Sequence, residues 1–255
     1  MTETLEIRVT RIKDILNALP PLAQTVLLLD FDGTLVEIAD RPGNINVPPS
    51  LAKRLQSLQR ETGGGLAIVT GRDLETLDGF LPNFEGSVFA SHGAEMRLDG
   101  DVKSLQVSAQ LKDAVETLTA WPEGYSGIEV EAKSSAVVVH FRRAPDREKE
   151  VREITSAVVQ TLDDFSASDA KMAVELKSRE ATKARAVDTL CGQYPRRFPV
   201  AIGDDTTDES MFQAASDRGG FGIKVGPETT LAKHRISTPE DVVELLDFWL
   251  ERDAR

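Results

Sequence analysis

Val26-Leu27-Leu28-Leu29-Asp30-Phe31-Asp32-Gly33-Thr34-Leu35 is an apolar run that stops at two acids one residue apart, and its reading decides the fold. A continuous Val/Leu run suits a strand buried on both faces, as in a parallel sheet covered by helices. An ionised carboxylate costs too much to bury unpaired, so something cationic has to sit beside Asp30. Alternation along a strand puts Asp30 and Asp32 on the same side while the strand runs, and Gly33 permits a sharp turn directly after them. Such a geometry suits Mg2+, an oxygen-preferring ion that keeps positions open for phosphate oxygens.

Taken alone, the segment is equally a polar turn at a strand end. Two distant segments tip the balance. Leu66-Ala67-Ile68-Val69-Thr70-Gly71-Arg72 again runs from an apolar strand into a polar residue and glycine. Pro199-Val200-Ala201-Ile202-Gly203 runs into Asp204-Asp205-Thr206-Thr207-Asp208-Glu209, a third strand end dense in carboxylates. In an open parallel sheet the carboxyl ends of the strands share one edge, so the three segments are expected to converge there.

Strand patterns at 26–30, 66–70, 87–91, 199–203 and 221–225 alternate with helical ones such as Leu51-Ala52-Lys53-Arg54-Leu55-Gln56-Ser57-Leu58. The alternation predicts an α/β fold, a doubly wound parallel sheet with a Rossmann-like core. A final helix is expected from Thr238 as N-cap, with Pro239 in its first position and Glu240 and Asp241 in its first turn. The middle differs: Ile128-Glu129-Val130-Glu131 and Ser135-Ala136-Val137-Val138-Val139-His140-Phe141-Arg142 read as half-exposed antiparallel strands, followed by a helix at about 146–162 and further strand from Phe165 to Leu176. The expected organisation is a core of residues 1–103 and 179–255 with an α+β cap of residues 104–178 inserted as a lid over the carboxyl edge.

The 255 residues carry 42 acids against 30 Lys and Arg, a formal net charge of -12. That charge repels nucleic acid and anionic lipid, so any phosphate must be held by a local cationic pocket of metal and lysine. Cys191 is the only cysteine, which excludes an intrachain disulfide and offers no zinc set. The first residues lack the basic start and apolar centre of a secretory signal, and no apolar stretch is long enough to span a bilayer. A cytoplasmic monomer acting on a small molecule is the expectation, with neither nucleic acid nor membrane as partner.

Asp30-Phe31-Asp32-Gly33-Thr34-Leu35, Thr70-Gly71-Arg72, Lys183 and Gly203-Asp204-Asp205-Thr206-Thr207-Asp208 together resemble the four ordered motifs of the haloacid dehalogenase-like phosphohydrolases. Within that superfamily, His92-Gly93-Ala94-Glu95, Glu131-Ala132-Lys133, Glu175-Leu176-Lys177 and the run to Glu209 are similar to the trehalose-6-phosphate phosphatase family, whose α+β cap the insertion also matches. Ala184 follows Lys183 where the family usually has glycine, and Thr70 stands where serine is frequent. Neither removes a group the chemistry needs.

The resemblance implies a Mg2+-dependent phosphatase acting on trehalose 6-phosphate. Asp30 would be the nucleophile that takes the phosphoryl group. Asp32 would protonate the departing sugar oxygen and then deprotonate water. Mg2+ would be held by Asp30, the main-chain carbonyl of Asp32 and Asp204, with Asp205 and Asp208 orienting water or the ion's ligands. Thr70 and the Gly71 amide would bind phosphoryl oxygens beside Arg72, and Lys183 would offset their charge. Substrate choice would lie in the cap with Glu131, Lys133, Glu175 and Lys177, of which Glu131 and Lys133 share a sheet face by their period-two spacing. His92 reads as a hydrogen-bonded rim residue that no step requires.

The catalytic set leaves other readings open: a phosphatase for sucrose, mannosylglycerate, glucosylglycerol or hexose phosphates, a phosphotransferase or mutase, or a non-catalytic phosphosugar sensor.

Overall fold

The computed structural model describes residues 12–39, 42–105, 109–121, 126–132, 136–170 and 172–254. Its strands are β1 Thr25–Leu29, β2 Leu66–Val69, β3 Ser87–Ala90, β4 Glu95–Leu98, β5 Asp101–Ser104, β6 Glu129–Ala132, β7 Ala136–His140, β8 Phe165–Ala170, β9 Ala173–Ser178, β10 Phe198–Gly203, β11 Phe221–Val225 and β12 His234–Ile236. Its α-helices are α1 Ile12–Ala18, α2 Pro49–Glu61, α3 Leu74–Phe80, α4 Ala109–Ala120, α5 Glu148–Val159, α6 Ala184–Gln193, α7 Glu209–Asp217 and α8 Pro239–Asp253. The chain divides into two compact units, Met1–Val102 with Thr182–Arg255, and Lys103–Ala181.

In the first unit β1 is buried throughout because alternate residues feed two separate cores. Leu27 and Leu29 join Leu66, Ile68, Val88, Val200 and Ile202 in one core, closed by Leu51, Leu55 and Leu58 of α2 and Val242, Leu245, Leu246 and Trp249 of α8. Val26 and Leu28 join Ala67, Val69, Phe89 and Ala201 in the other, closed by Ala186, Val187 and Leu190 of α6 and Met211 and Phe212 of α7. A strand apolar at every position therefore satisfies both sides of a doubly wound sheet at once. The α8 start follows its sequence signals, with the Thr238 side chain accepting from the Asp241 amide and Pro239 in the first turn. Trp249 is fully buried, and its indole donates to the Pro20 carbonyl at 3.0 Å.

The sheet order is β12-β11-β10-β1-β2-β3-β4-β5. All pairs from β12 to β3 are parallel, whereas β4 runs antiparallel to β3. The expected doubly wound parallel sheet is present from β12 to β3, and β4 extends it antiparallel because the chain reverses at Ser91-His92-Gly93, where all three residues have positive φ (48°, 56° and 91°). β4 alternates polar and apolar residues, β5 is polar at most positions and β12 is three residues long, so none of them presents the buried apolar run that marks the other core strands.

The second unit is an antiparallel sheet, β6-β7-β9-β8, with α4 and α5. Val137, Val139, Phe165, Val174 and Leu176 form its core with Leu111, Leu118, Val151 and Val158 of the helices. Residues of the alternate parity, among them Glu131, His140, Glu175 and Lys177, occupy the opposite sheet face. Among the described residues no helix is long and apolar enough to cross a membrane.

Candidate active site

β1 lies between β10 and β2, with Leu29 in register with Ile202 on one side and Ile68 on the other. The chain leaves β1 towards β2 while β10 flanks it on the other side, so the carboxyl end of β1 is a topological switch point, where open α/β sheets place their ligands. The ladder continues one residue further, the Asp30 amide donating to the Ile202 carbonyl at 2.9 Å. Asp30 and the turns after β2 and β10 therefore meet at one edge. Gly33 is needed there twice over. Its φ is +76°, and a Cβ built on it would lie 2.2 Å from Asp204 Oδ2.

Lys183, immediately before α6, supplies the cation that the buried acid demands. Its Nζ donates to Asp30 Oδ1 and to Asp208 Oδ1, both at 2.7 Å, with only 3% of the lysine, 4% of Asp30 and none of Asp208 exposed. The other oxygen of Asp208 accepts from the amides of Asp204 and Asp205 at 2.9 and 3.0 Å, so both oxygens of this carboxylate are hydrogen-bonded. Asp205 is engaged as well: its side chain accepts from the Thr207 and Asp208 amides and caps the short turn at Thr206–Asp208. The sequence Gly203-Asp204-Asp205-Thr206-Thr207-Asp208 thus folds on itself as a capping box, with Asp208 lying over Gly203, where a Cβ would come within 2.2 Å of Asp208 Cγ.

Carboxylate oxygens of Asp30, Asp204 and Asp208 lie within 4.8 Å of one another. Burial, with Asp204 and Asp205 nearby, pushes the Asp30 carboxyl up to about 7 despite the opposing pull of Lys183. Burial and Asp208 push Asp204 up to about 6, and burial and Asp30 push Asp208 to about 7. Burial also opposes the charge on Lys183, but Asp30 and Asp208 outweigh it and raise its pKa. On Asp205 burial is overcome by Lys183 and by the hydrogen bonds from Thr207 and Asp208, which hold the carboxyl below the usual range. Three crowded carboxylates facing one ammonium leave a surplus of negative charge, and an all-oxygen donor set of this kind fits a hard divalent cation such as Mg2+.

On the β2 side, Arg72 forks onto Asp32, its Nε reaching Oδ2 and its second guanidinium nitrogen Oδ1, both at 2.6 Å. The guanidinium also lies 4.8 Å from the Phe80 ring centroid. Thr70 is buried, and its hydroxyl oxygen accepts from the Arg72 amide at 3.1 Å. Asp30 and Asp32 therefore answer to different cations, Lys183 and Arg72, although they are only two residues apart. His92 donates its amide to the Thr70 carbonyl at 2.9 Å, and its ring fills the space where a Cβ on Gly71 would sit, 2.7 Å from Cε1.

In the second unit Glu131 pairs across the sheet with Val138, and Val138 with Glu175, which places the two acids in one row on one face. Lys177, two residues beyond Glu175, shares that face. His140 contacts Glu131, Nε2 to Oε2 at 2.9 Å. Lys133 lies outside the described residues. Two residues that matter to the architecture escaped the sequence reading. His140 alternates with Val137 and Val139 and so marks the polar face of β7, and Lys224 is a lone charge in the apolar run Phe221-Gly222-Ile223-Lys224-Val225.

Residues 28–241 match the model of the trehalose-phosphatase family. A probable trehalose-phosphate phosphatase of Sinorhizobium fredii is 37% identical over 232 residues, 89% of this chain and 88% of that protein. The trehalose-6-phosphate phosphatase of Escherichia coli strain K12 is 32% identical over 236 residues, 90% and 86% of the two chains. In fold, the chain resembles the trehalose-6-phosphate phosphatase of Aspergillus fumigatus, with a TM-score of 0.73, 21% identity, and coverage of 96% and 98%. The matched residues run from β1 through Lys183 to the acidic turn after β10 and into α8, and the chain belongs to the trehalose-phosphatase family.

Proposed function

We propose that this protein hydrolyses trehalose 6-phosphate to trehalose and phosphate through an aspartyl-phosphate intermediate. The observation that carries the reading is the buried Asp30–Lys183–Asp208 cluster, with Asp204 beside it, at the carboxyl edge of a chain in this family.

Asp30 attacks phosphorus, forming a new O–P bond while the bond to the sugar oxygen breaks. Asp32 gives that oxygen its proton, then takes one from the water that attacks the acyl phosphate, and phosphate departs as Asp30 is regenerated. Arg72 donates to both Asp32 oxygens, which orients this carboxyl at the edge where the sugar oxygen departs. Lys183 holds Asp30 in line and offsets charge on the phosphoryl group. The Thr70 hydroxyl, which keeps its proton while accepting from Arg72, and the Gly71 amide donate to phosphoryl oxygens. Asp30 and Asp204 would hold Mg2+, with Asp208 and Asp205 fixing the turn that carries Asp204. The ion would supply charge neutralisation that lets an anionic substrate approach the acid cluster.

Substrate choice is assigned to the sheet face of the second unit bearing Glu131, Glu175 and Lys177, together with Lys133, which offers acceptors and donors for sugar hydroxyls. The chain is read as a cytoplasmic monomer acting on a small-molecule phosphosugar, its net charge of -12 disfavouring nucleic acid and anionic lipid as partners. The test is phosphate release with added Mg2+ from trehalose 6-phosphate against sucrose, mannosylglycerate, glucosylglycerol and hexose phosphates. Turnover of trehalose 6-phosphate at least tenfold above the others, lost on chelation and restored by Mg2+, is expected. Preference for another phosphosugar would overturn the substrate, and no release from any of them would overturn the chemistry.

A further inference from the structure

We infer that Lys224 is a positioning residue for the candidate cation site, acting through the main chain of Asp204. Lys224 sits in β11 opposite Gly203 of β10, the residue immediately before Asp204. It is 1% exposed next to the end of an otherwise apolar strand, a costly placement for an ammonium unless every hydrogen is satisfied. All three of its hydrogens have acceptors: the Asp204 carbonyl, the Val225 carbonyl at 2.5 Å, and Glu228 Oε2 at 2.8 Å. Two of these acceptors terminate neighbouring parallel strands, so the ammonium ties the ends of β10 and β11 together where the acidic turn begins. Its third partner belongs to the turn after β11, which Arg235 fixes from β12 by donating to the carbonyls of Gly226 and Glu228.

The structural alternative is that Lys224 only ends a strand. A leucine or isoleucine would do that at lower cost, and the adjacent position is Val225. What the lysine adds is a fixed orientation of the Asp204 peptide. The Asp204 amide is held by Asp208, and the Asp204 carbonyl by Lys224. The carboxylate between them has little latitude, since it must clear the Gly33 backbone and accept from Thr34 Oγ1 at 3.4 Å. Clamping both flanks of one residue prepays the ordering that a loosely held carboxylate would owe on binding a cation.

This inference rests on the assignment of Asp204 to Mg2+ above. The test is calorimetric titration of Mg2+ into the full chain as wild type, Lys224→Met and Glu228→Gln, with circular dichroism recording the fold and kinetics at saturating Mg2+. Lys224→Met is expected to keep its secondary structure, to bind Mg2+ about tenfold more weakly, and at saturating Mg2+ to recover most of the wild-type kcat with KM for the phosphosugar unchanged. Glu228→Gln, altered at an acid whose side chain is 66% exposed, is expected to weaken Mg2+ in the same direction by about two- to threefold. A folded Lys224→Met variant with wild-type Mg2+ affinity overturns the inference. If that variant fails to fold, wild-type affinity in Glu228→Gln overturns it instead. A wild-type protein that takes up no Mg2+ overturns the metal reading itself, a result distinct from either.

Discussion

The two charged regions of this molecule are built on opposite terms. At the carboxyl edge of the first unit, Asp30, Lys183 and Asp208 are almost wholly buried and hold one another at 2.7 Å. On the sheet face of the second unit, Glu131 and His140 meet at 2.9 Å with half and 38% of their side chains exposed. Burial makes the first set interdependent, because removing one charge strands its partners in a low-dielectric space. Exposure makes the second set separable, since water replaces any contact that is lost. On the function proposed above, chemistry falls where geometry is forced, and the choice between sugars falls where side chains can change singly.

The largest expected effect tests the buried set at its centre. Asp30→Asn should cut kcat by about four orders of magnitude or more while secondary structure is retained, measured as phosphate release alongside circular dichroism. Substantial turnover in that variant would detach the buried cluster from the chemistry.

Lys183→Met should lower kcat about a thousandfold and also destabilise the fold by about 3–5 kcal/mol near pH 8, read from denaturant unfolding. The stability loss should shrink near pH 5.5, where Asp30 and Asp208, both pushed up to about 7, take protons and no longer need a cation. A loss that does not vary with pH would mean that the two carboxyls are not interdependent with Lys183.

On the exposed side, Glu131→Gln or Lys177→Met should raise KM for trehalose 6-phosphate by about five- to thirtyfold with kcat nearly unchanged, the worth of one or two hydrogen bonds. The fold should be unaffected. A loss of kcat as deep as that of Lys183→Met would erase the contrast between the regions.

The smallest effect is on the unliganded protein. Asp30 and Asp208 hold protons more tightly folded, at about 7, than in an unfolded chain, where the ordinary value is 3.8. Their contribution to stability is complete below about pH 4 and is lost as pH rises through 7. In the presence of chelator, Tm should therefore fall by a few degrees between pH 5 and pH 8, and Mg2+ should recover it at the higher pH. A rising Tm over that interval would show that Lys183 wins the contest with burial.

Much of the first unit is legible in the chain because burial on both faces demands unbroken apolar runs. Val26 to Leu29, Leu66 to Val69 and Val200 to Ile202 could hardly be anything else, and the acids at their ends stand out by contrast. The strands β4, β5 and β12 were missed for the converse reason: partly exposed strands at or next to the sheet edges carry mixed residues, such as His234-Arg235-Ile236, with no period to read. Lys224 shows the same limit within a strand that was found. A lone lysine in an apolar run signals a buried partner, but its acceptors are main-chain carbonyls and a glutamate in the next turn, and carbonyls leave no mark in a sequence.

By itself the sequence determined the strand run that ends in Asp30, the need for a cation beside that acid, and the acidic turn that follows Gly203. Local chemistry suffices for these, because an apolar period and an unpaired charge are properties of neighbouring residues. Only the tertiary structure decided that Lys183 serves Asp30 while Arg72 serves Asp32, and that Asp208 spends its oxygens on a lysine and two amides. Partners 153 and 40 residues apart are chosen by which strands lie side by side, and that choice is made by the whole core.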